Sequence, residues 1–373
     1  FQPDLNYRNP DVRREMLNVA RYWLDKGAAG FRLDIFNCLF EDEKLRNNPW
    51  TWRFLPTDRN PSIFFQRLKY TLNLPESVEF AKELRAVANE YPDNFLVGEV
   101  MGTERECRRF CGDVVGDATD GLHTVFLFQT LSTPFSARAF AHLIRRFERH
   151  FPEPYFPAWV FSNHDRVRLF TRLGESPEKA KVMATLLLTV RGVPFIYYGE
   201  EIGMAQHRIP LENALDPLAE PWKKLPRWAV ELLRKRGLSL NRDECRTPMQ
   251  WDDGPNAGFS SATPWLPPLP DFRRVNVKNQ NDDPSSLLNT YRGLVALRKS
   301  HAALRIGSLE ILPSPPQTLI YRRSFEQNGI LVALNFGLKP RKIPYRAKEI
   351  LFSTHKAEYP ALPPYAAIVA CER

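Results

Sequence analysis

Three acidic residues of this chain stand at the ends of short apolar stretches. Asp34 follows GFRL, with Arg32 two residues before it; Glu99 follows FLVG; His164 and Asp165 follow AWVFSN. In an extended chain Arg32 and Asp34 share one face. A carboxylate beside a guanidinium in an apolar strand is costly unless something uses the pair. Taken singly, each feature has an ordinary reading: a surface glutamate, a structural His–Asp hydrogen bond, a structural ion pair. Their placement at the ends of successive strands favours chemistry instead. Carboxylates gathered on one face raise each other's pKa, and burial adds to this, so one can stay protonated as an acid. Breaking a glycosidic bond needs that division of labour. One carboxylate attacks or stabilises the sugar carbon, and the other protonates the leaving oxygen.

The elements that would hold these residues are legible in outline. Asn9 and Pro10 open a helix as cap and first residue, Val12 to Leu24 repeat at helical spacing, and Gly27 can end it. The strand AAGFRLDIF follows. Further buried strands are expected at FLVGEV (95–100), LHTVFLF (122–128), AWVFSN (158–163) and VPFIYYG (193–199), with helices near 77–89, 140–149 and 177–190 between them. Apolar strands separated by helices indicate a parallel sheet covered on both faces. From about 200 to 283 the chain is irregular and rich in Pro and Trp, and short helices with a functional role are expected there. Pro284 then opens an amphipathic helix. TLIYRRSF, ILVALNF and YAAIVAC read as antiparallel strands, with Asn328-Gly329 as the turn between the first two.

Five strands fall short of the eight that close a parallel barrel. The sheet is either open or short of three strands. No Gly-rich phosphate loop follows any strand, which weighs against the open, nucleotide-binding form. The expected architecture is therefore an α/β fold. It is a (β/α)8 TIM barrel lacking its first three strands, over residues 1–302, followed by a small antiparallel β domain over 303–373.

Bulk properties set limits. The 373 residues include 43% hydrophobic and 25% charged residues, enough for a sizeable core. The net charge of +9 would permit an acidic partner, but the basic residues are interleaved with acids. The densest run, Lys223, Lys224, Arg227, Arg234, Lys235 and Arg236, is broken by Glu231 and reads as a solvated face. No zinc-finger or RNA-binding signature is present, so no nucleic acid is expected. Five cysteines cannot all pair and lack metal-ligand spacing, so free thiols in a reducing, cytoplasmic setting are expected. No apolar run is long enough to cross a membrane, and no membrane partner is expected.

With these residues in place, a resemblance is plain. GFRLDIFN, GEV and FSNHD resemble three of the sequence regions that define the α-amylase family, glycoside hydrolase family 13. QPDLN (2–6) resembles a fourth, in the form seen in the oligo-1,6-glucosidase subgroup. YYGEEIGM, RTPMQWD (246–252) and AGFS (257–260) resemble the α-glucosidase and trehalose synthase branch. The resemblance implies a retaining α-glucoside hydrolase acting on short α-linked gluco-oligosaccharides. Asp34 would be the nucleophile, held ionised by Arg32. Glu99 would be the general acid and then the base. Asp165 would bind sugar hydroxyls and stabilise the transition state beside His164, and Arg246 would seat the non-reducing glucose. Ile35, just after the nucleophile, stands where linkage preference is set, and its aliphatic side chain resembles the α-1,6-acting members; ordinary strand packing is the plainer reading. Retention predicts carboxyl groups about 5–5.5 Å apart.

The family's first conserved region, its first three barrel strands and its calcium loop have no counterpart in the sequence. No metal or cofactor is therefore expected, and Arg246 is expected to face a gap where its family partner, an Asp, would sit. A separate N-terminal segment completing the barrel is the expected partner besides the oligosaccharide. Two other readings stay open: a transglycosylase or isomerase such as a trehalose synthase, and an inactive remnant or non-catalytic amylase-like scaffold.

Overall fold

The computed structural model describes residues 3–54, 57, 59–235, 238–355 and 358–372. Gln2 of QPDLN and Arg236 of the basic run lie outside them, as does the side chain of Lys235. The chain divides into two compact units. The first contains residues 1–132 and 143–159, and the second contains 133–142 and 160–373.

In the first unit, α1 spans Pro10–Asp25. Asn9 caps it by accepting from the Asp11 amide at 2.9 Å, and Gly27, at φ +92°, turns the chain out of it. β1 (Gly30–Leu33) follows, then α2 (Pro75–Ala88) and β2 (Phe95–Gly98). β1 and β2 pair in parallel from Gly30 opposite Phe95 to Leu33 opposite Gly98. Gly30 has φ +130°, and a Cβ there would collide with the Phe95 carbonyl, so only glycine lets the strands start together. β2 also pairs with β3 (Thr124–Val125), giving the order β1-β2-β3, and Phe126 bridges in parallel to Ala158. LHTVFLF therefore keeps only a short ladder. Thr103 caps α3 (Glu104–Arg109) through a reciprocal capping box with Glu106.

The unit division runs through α4 (Ala137–His150) and β4 (Ala158–Val160). In the second unit, Ser176 caps α5 (Pro177–Thr189), which precedes β5 (Val193–Phe195). The stretch from 200 to 283 folds as short helical turns, including Glu200–Ile202, Leu211–Asn213, Pro217–Lys224 and Arg242–Cys245. α6 (Leu287–Ser300) begins later than Pro284, because the Ser286 side chain accepts from the Asn289 amide and fixes the start.

A five-stranded antiparallel sheet closes the chain, with β6 (Ser308–Leu312), β7 (Thr318–Phe325), β8 (Asn328–Asn335), β9 (Ala347–Ser353) and β10 (Ala367–Glu372) in the order β9-β10-β8-β7-β6. One of its faces buries Ile320, Leu331, Ala333, Ile343 and Ile368. Asn328 pairs with Phe325, so Asn328-Gly329 is the first step of β8 and not the turn; Glu326, at φ +52°, and Gln327 make the turn. This sheet belongs to the same compact unit as α5 and α6. In the basic run, Lys223, Arg227 and Arg234 each meet a carboxylate, from Glu220, Glu212, and Glu231 with Glu244.

Candidate functional site

The register of β1 and β2 places two carboxylates level. Leu33 lies opposite Gly98, so Asp34 and Glu99 are the next residues along two parallel neighbours. The Glu99 amide donates to the Leu33 carbonyl at 2.8 Å, and the Phe36 amide donates to the Glu99 carbonyl at 2.9 Å. These bonds hold the chain together past the end of the ladder. The Arg32 guanidinium bridges the two acids, with Nη1 on Asp34 Oδ1 and Nη2 on Glu99 Oε2. Asp34 is open to solvent, whereas the Glu99 side chain is only 13% exposed. One carboxylate is therefore exposed to an approaching ligand and the other is enclosed. Asn37 and Asn73 tie down the turns that follow: Asn37 Nδ2 donates to Asn73 Oδ1 and to the Met101 carbonyl, both at 2.9 Å.

Ile35 is not a packed strand residue. It adopts φ 39°, ψ 42° and is 44% exposed. A β-branched residue in the left-handed region is strained, and such strain concentrates at functional sites. The strand-packing reading of Ile35 is thereby corrected.

In the second unit, His164 and Asp165 sit on the turn after β4. The Asn163 side chain accepts from the Asp165 amide, and the Leu169 amide donates to Ser162 Oγ. Asp165 is enclosed by three basic side chains. Arg246 Nη2 lies 2.8 Å and Arg242 Nη1 3.2 Å from its Oδ1, and His164 Nε2 lies 3.3 Å from its Oδ2. Arg246 Nε also donates to the His164 carbonyl at 2.8 Å. Arg246 thus faces no gap: Asp165 occupies its fork.

Arg242 did not stand out in the sequence. Its signal was its place four residues before Arg246. It grips Asp216 as well, through Nη2 to Oδ1 at 2.7 Å and Nε to Oδ2 at 2.9 Å. Burial pushes the Asp216 carboxyl up, but Arg242 and the backbone donors outweigh it and hold Asp216 down at about 2. The Asp216 hydrogen bond in turn raises Arg242 above its ordinary value. Arg242 is therefore a fixed cation.

The tyrosines of YYGEEIGM fasten the segment that carries Arg246. Tyr197 Oη donates to the Cys245 carbonyl at 3.0 Å and Tyr198 Oη to the Thr247 carbonyl at 2.8 Å. Glu200, also unsignalled, lies buried beneath. Its Oε1 accepts from Tyr291 Oη at 2.8 Å, and the Ser162 hydroxyl donates to the same carboxyl. Burial pushes Glu200 up to about 7. All five cysteines are free, and no helix among the described residues is long and apolar enough to cross a membrane.

A family model described as the alpha amylase catalytic domain matches residues 1–307. The chain is 35% identical over 352 residues to a "Probable alpha-glucosidase" of Rhizobium meliloti (strain 1021), covering 90% of this chain and 60% of that protein. It is 32% identical over 391 residues to an oligo-1,6-glucosidase of Parageobacillus thermoglucosidasius, covering 96% and 66%. The solved structure of an alpha-glucosyl transfer enzyme, XgtA, aligns with TM-score 0.84 at 31% identity, over 100% of this chain and 69% of that one. The chain thus spans three fifths to two thirds of the length of these curated relatives. The backbone follows the α/β-barrel fold of that family with an antiparallel sheet at its C-terminal end.

Proposed function

Because the chain belongs to the alpha-amylase family, we propose that it acts on short α-linked gluco-oligosaccharides by double displacement with retention. Asp34 attacks the anomeric carbon as the glycosidic C–O bond breaks, and Glu99 gives its proton to the leaving oxygen. Glu99, now a carboxylate, takes a proton from water, the water oxygen bonds to the anomeric carbon, and Asp34 is released. Asp165 accepts hydrogen bonds from sugar hydroxyls, with His164, Arg242 and Arg246 fixing its position. Arg32 orients the two reacting carboxylates, and Ile35 borders the aglycone. The observation that carries this reading is the Arg32 guanidinium joined to both Asp34 and Glu99 at level ends of parallel strands.

Transfer to a sugar hydroxyl in place of water is the second reading, favoured by the likeness to a structure titled an alpha-glucosyl transfer enzyme. Product analysis on maltose separates the two. Glucose as the sole product supports hydrolysis, and lengthened or rearranged sugars support transfer. On p-nitrophenyl α-glucoside, whose leaving group has no anomeric centre, α-glucose as the first sugar product supports retention and β-glucose rules it out.

The reading of a barrel-completing partner is supported by an open edge. β1 pairs only with β2 among the described residues, so its other side presents unpaired amides and carbonyls. Beside that edge lies a largely apolar cavity of about 280 Å³ lined by Met16, Val19, Trp23, Phe31 and Leu33, with Arg32 and Asp34 also in its wall, and Trp23 remains 53% exposed. A parallel strand and helix, in a preceding or separate chain segment, would cover both and complete the barrel. Binding of an apolar-surface dye to the 373-residue chain, suppressed when such a segment is supplied, is the expected signature; no dye binding at all would contradict it. The five free thiols favour a reducing compartment.

A further inference from the structure

A second concave site lies on the first unit, and neither Asp34 nor Glu99 lines it. Arg59, Arg67, Lys69 and Arg109 line a pocket of about 320 Å³, together with Asn73 and Thr103. That volume falls at the lower end of the range for small-molecule sites, about 300–1,000 Å³. Four cationic side chains face one carboxylate in the wall, that of Glu106, and it is already engaged. Glu106 Oε2 accepts from the Thr103 amide at 2.7 Å and from Thr103 Oγ1 at 2.8 Å. Arg59 leans on the buried Glu104, 3.4 Å away, which also meets Arg146. Among the described residues, Arg67, Lys69 and Arg109 form no ion pair with a carboxylate; Lys69 lies over the Tyr70 ring at 5.1 Å. Like charges gathered in a concavity raise the local potential and attract anions. Guanidinium groups in particular match the oxygen geometry of phosphate.

The pocket is joined to the reacting turns by Asn73. Its backbone amide donates to the Asn37 carbonyl at 2.9 Å, and its Nδ2 donates to the Met101 carbonyl at 3.0 Å. Asn37 lies three residues after Asp34, and Met101 two residues after Glu99. Asn73 itself is held at φ +59°. Asn73 therefore ties the pocket wall to the backbone beyond both strand ends.

We infer that this pocket binds a phosphate monoester of a small sugar, the phosphate on Arg67, Lys69 and Arg109 and the sugar against Asn73 and Thr103. The phosphate half rests on the pocket alone. The sugar half rests on the glucoside reading above. Isothermal titration calorimetry of the 373-residue chain, at constant ionic strength set with chloride, tests both halves. Inorganic phosphate, glucose 6-phosphate and glucose are the three probes. The expected result is one saturable site for both phosphates, with glucose 6-phosphate at least tenfold tighter than inorganic phosphate. The Arg67→Gln/Arg109→Gln double variant is expected to weaken both at least tenfold with an unchanged melting temperature; these side chains are exposed, so folding is not at stake. No phosphate binding above the chloride background, or equal binding by the double variant, overturns the site. Equal affinity for the two phosphates overturns the sugar half while leaving the anion site standing. None of these readouts requires glucosidase activity, so failure of the site and failure of the proposed function are distinguishable.

Discussion

Replacing Glu200 by Gln should change how stability depends on pH. Glu200 is buried, and its Oε2 has no hydrogen-bond partner, so nothing at that oxygen stabilises the anion. Burial dominates; the hydrogen bonds from Tyr291 and Ser162 and the charge of Arg172 oppose it and Glu201 adds to it, and the net result is a rise from the ordinary 4.5 to about 7. The folded state therefore binds the proton more tightly than the unfolded state does. A carboxyl raised in this way contributes stability that is fully present below about pH 4.5 and is lost as pH climbs through about 7. At 1.36 kcal/mol per tenfold change in proton affinity, that rise corresponds to roughly 3 kcal/mol. Glutamine keeps the shape and the bond from Tyr291 but cannot titrate. Urea unfolding followed by tryptophan fluorescence, at steps from pH 4.5 to 8, gives the free energy of unfolding of each protein. The difference, parent minus variant, should fall by about 3 kcal/mol across that interval and level off above it. Glu201 and Glu244, also raised by burial, remain in both proteins and largely cancel. Parallel pH curves for the two proteins would refute the reasoning. Because Ser162 links this carboxyl to the turn bearing Asp165, the loss should also be felt there.

Two further substitutions follow from packing and backbone. Arg323 is fully buried and donates to the carbonyls of Thr189, Leu304, Gly307 and Ser308 at 2.6–3.2 Å. Arg323→Met strips these four acceptors of their donor and should destabilise by about 3 kcal/mol or more in the same urea assay; a change under about 1 kcal/mol would contradict it. Ile35→Asn relieves a left-handed β-branched residue, a strain of about 1–2 kcal/mol, and should leave thermal stability equal or higher although an aliphatic side chain is removed. A clear drop in melting temperature would restore the packing role that the exposure of Ile35 denies.

The readable parts of the fold were those written locally. Asn9-Pro10 and Gly27 delimit α1 because a cap and a left-handed exit are properties of single residues. Apolar runs marked the strands, yet their lengths were overread: LHTVFLF pairs over only Thr124–Val125, since hydrophobicity records burial and not ladder bonds. Asn328-Gly329 has the composition of a turn, but the register of β7 and β8 is set by facing apolar residues across the whole hairpin, and it draws both residues into the strand. The Arg32–Asp34 pairing followed from two-residue alternation. The joining of both to Glu99 depended on the register of β1 against β2, which no local spacing encodes. Arg242 and Glu200 were invisible for the same reason. Their partners, Asp165 and Asp216 for one and Tyr291 and Ser162 for the other, lie far along the chain and meet only in the folded unit.

The central claim is that Asp34 is the nucleophile. Incubation with 5-fluoro-α-glucosyl fluoride, which slows release of a glycosyl intermediate, followed by proteolysis and mass spectrometry, tests it directly. The expected result is one fluoroglucosyl adduct on the peptide carrying Asp34, absent from Asp34→Asn and present in Asp165→Asn. Turnover of maltose with no adduct on that peptide, or an adduct on Glu99, would contradict the claim.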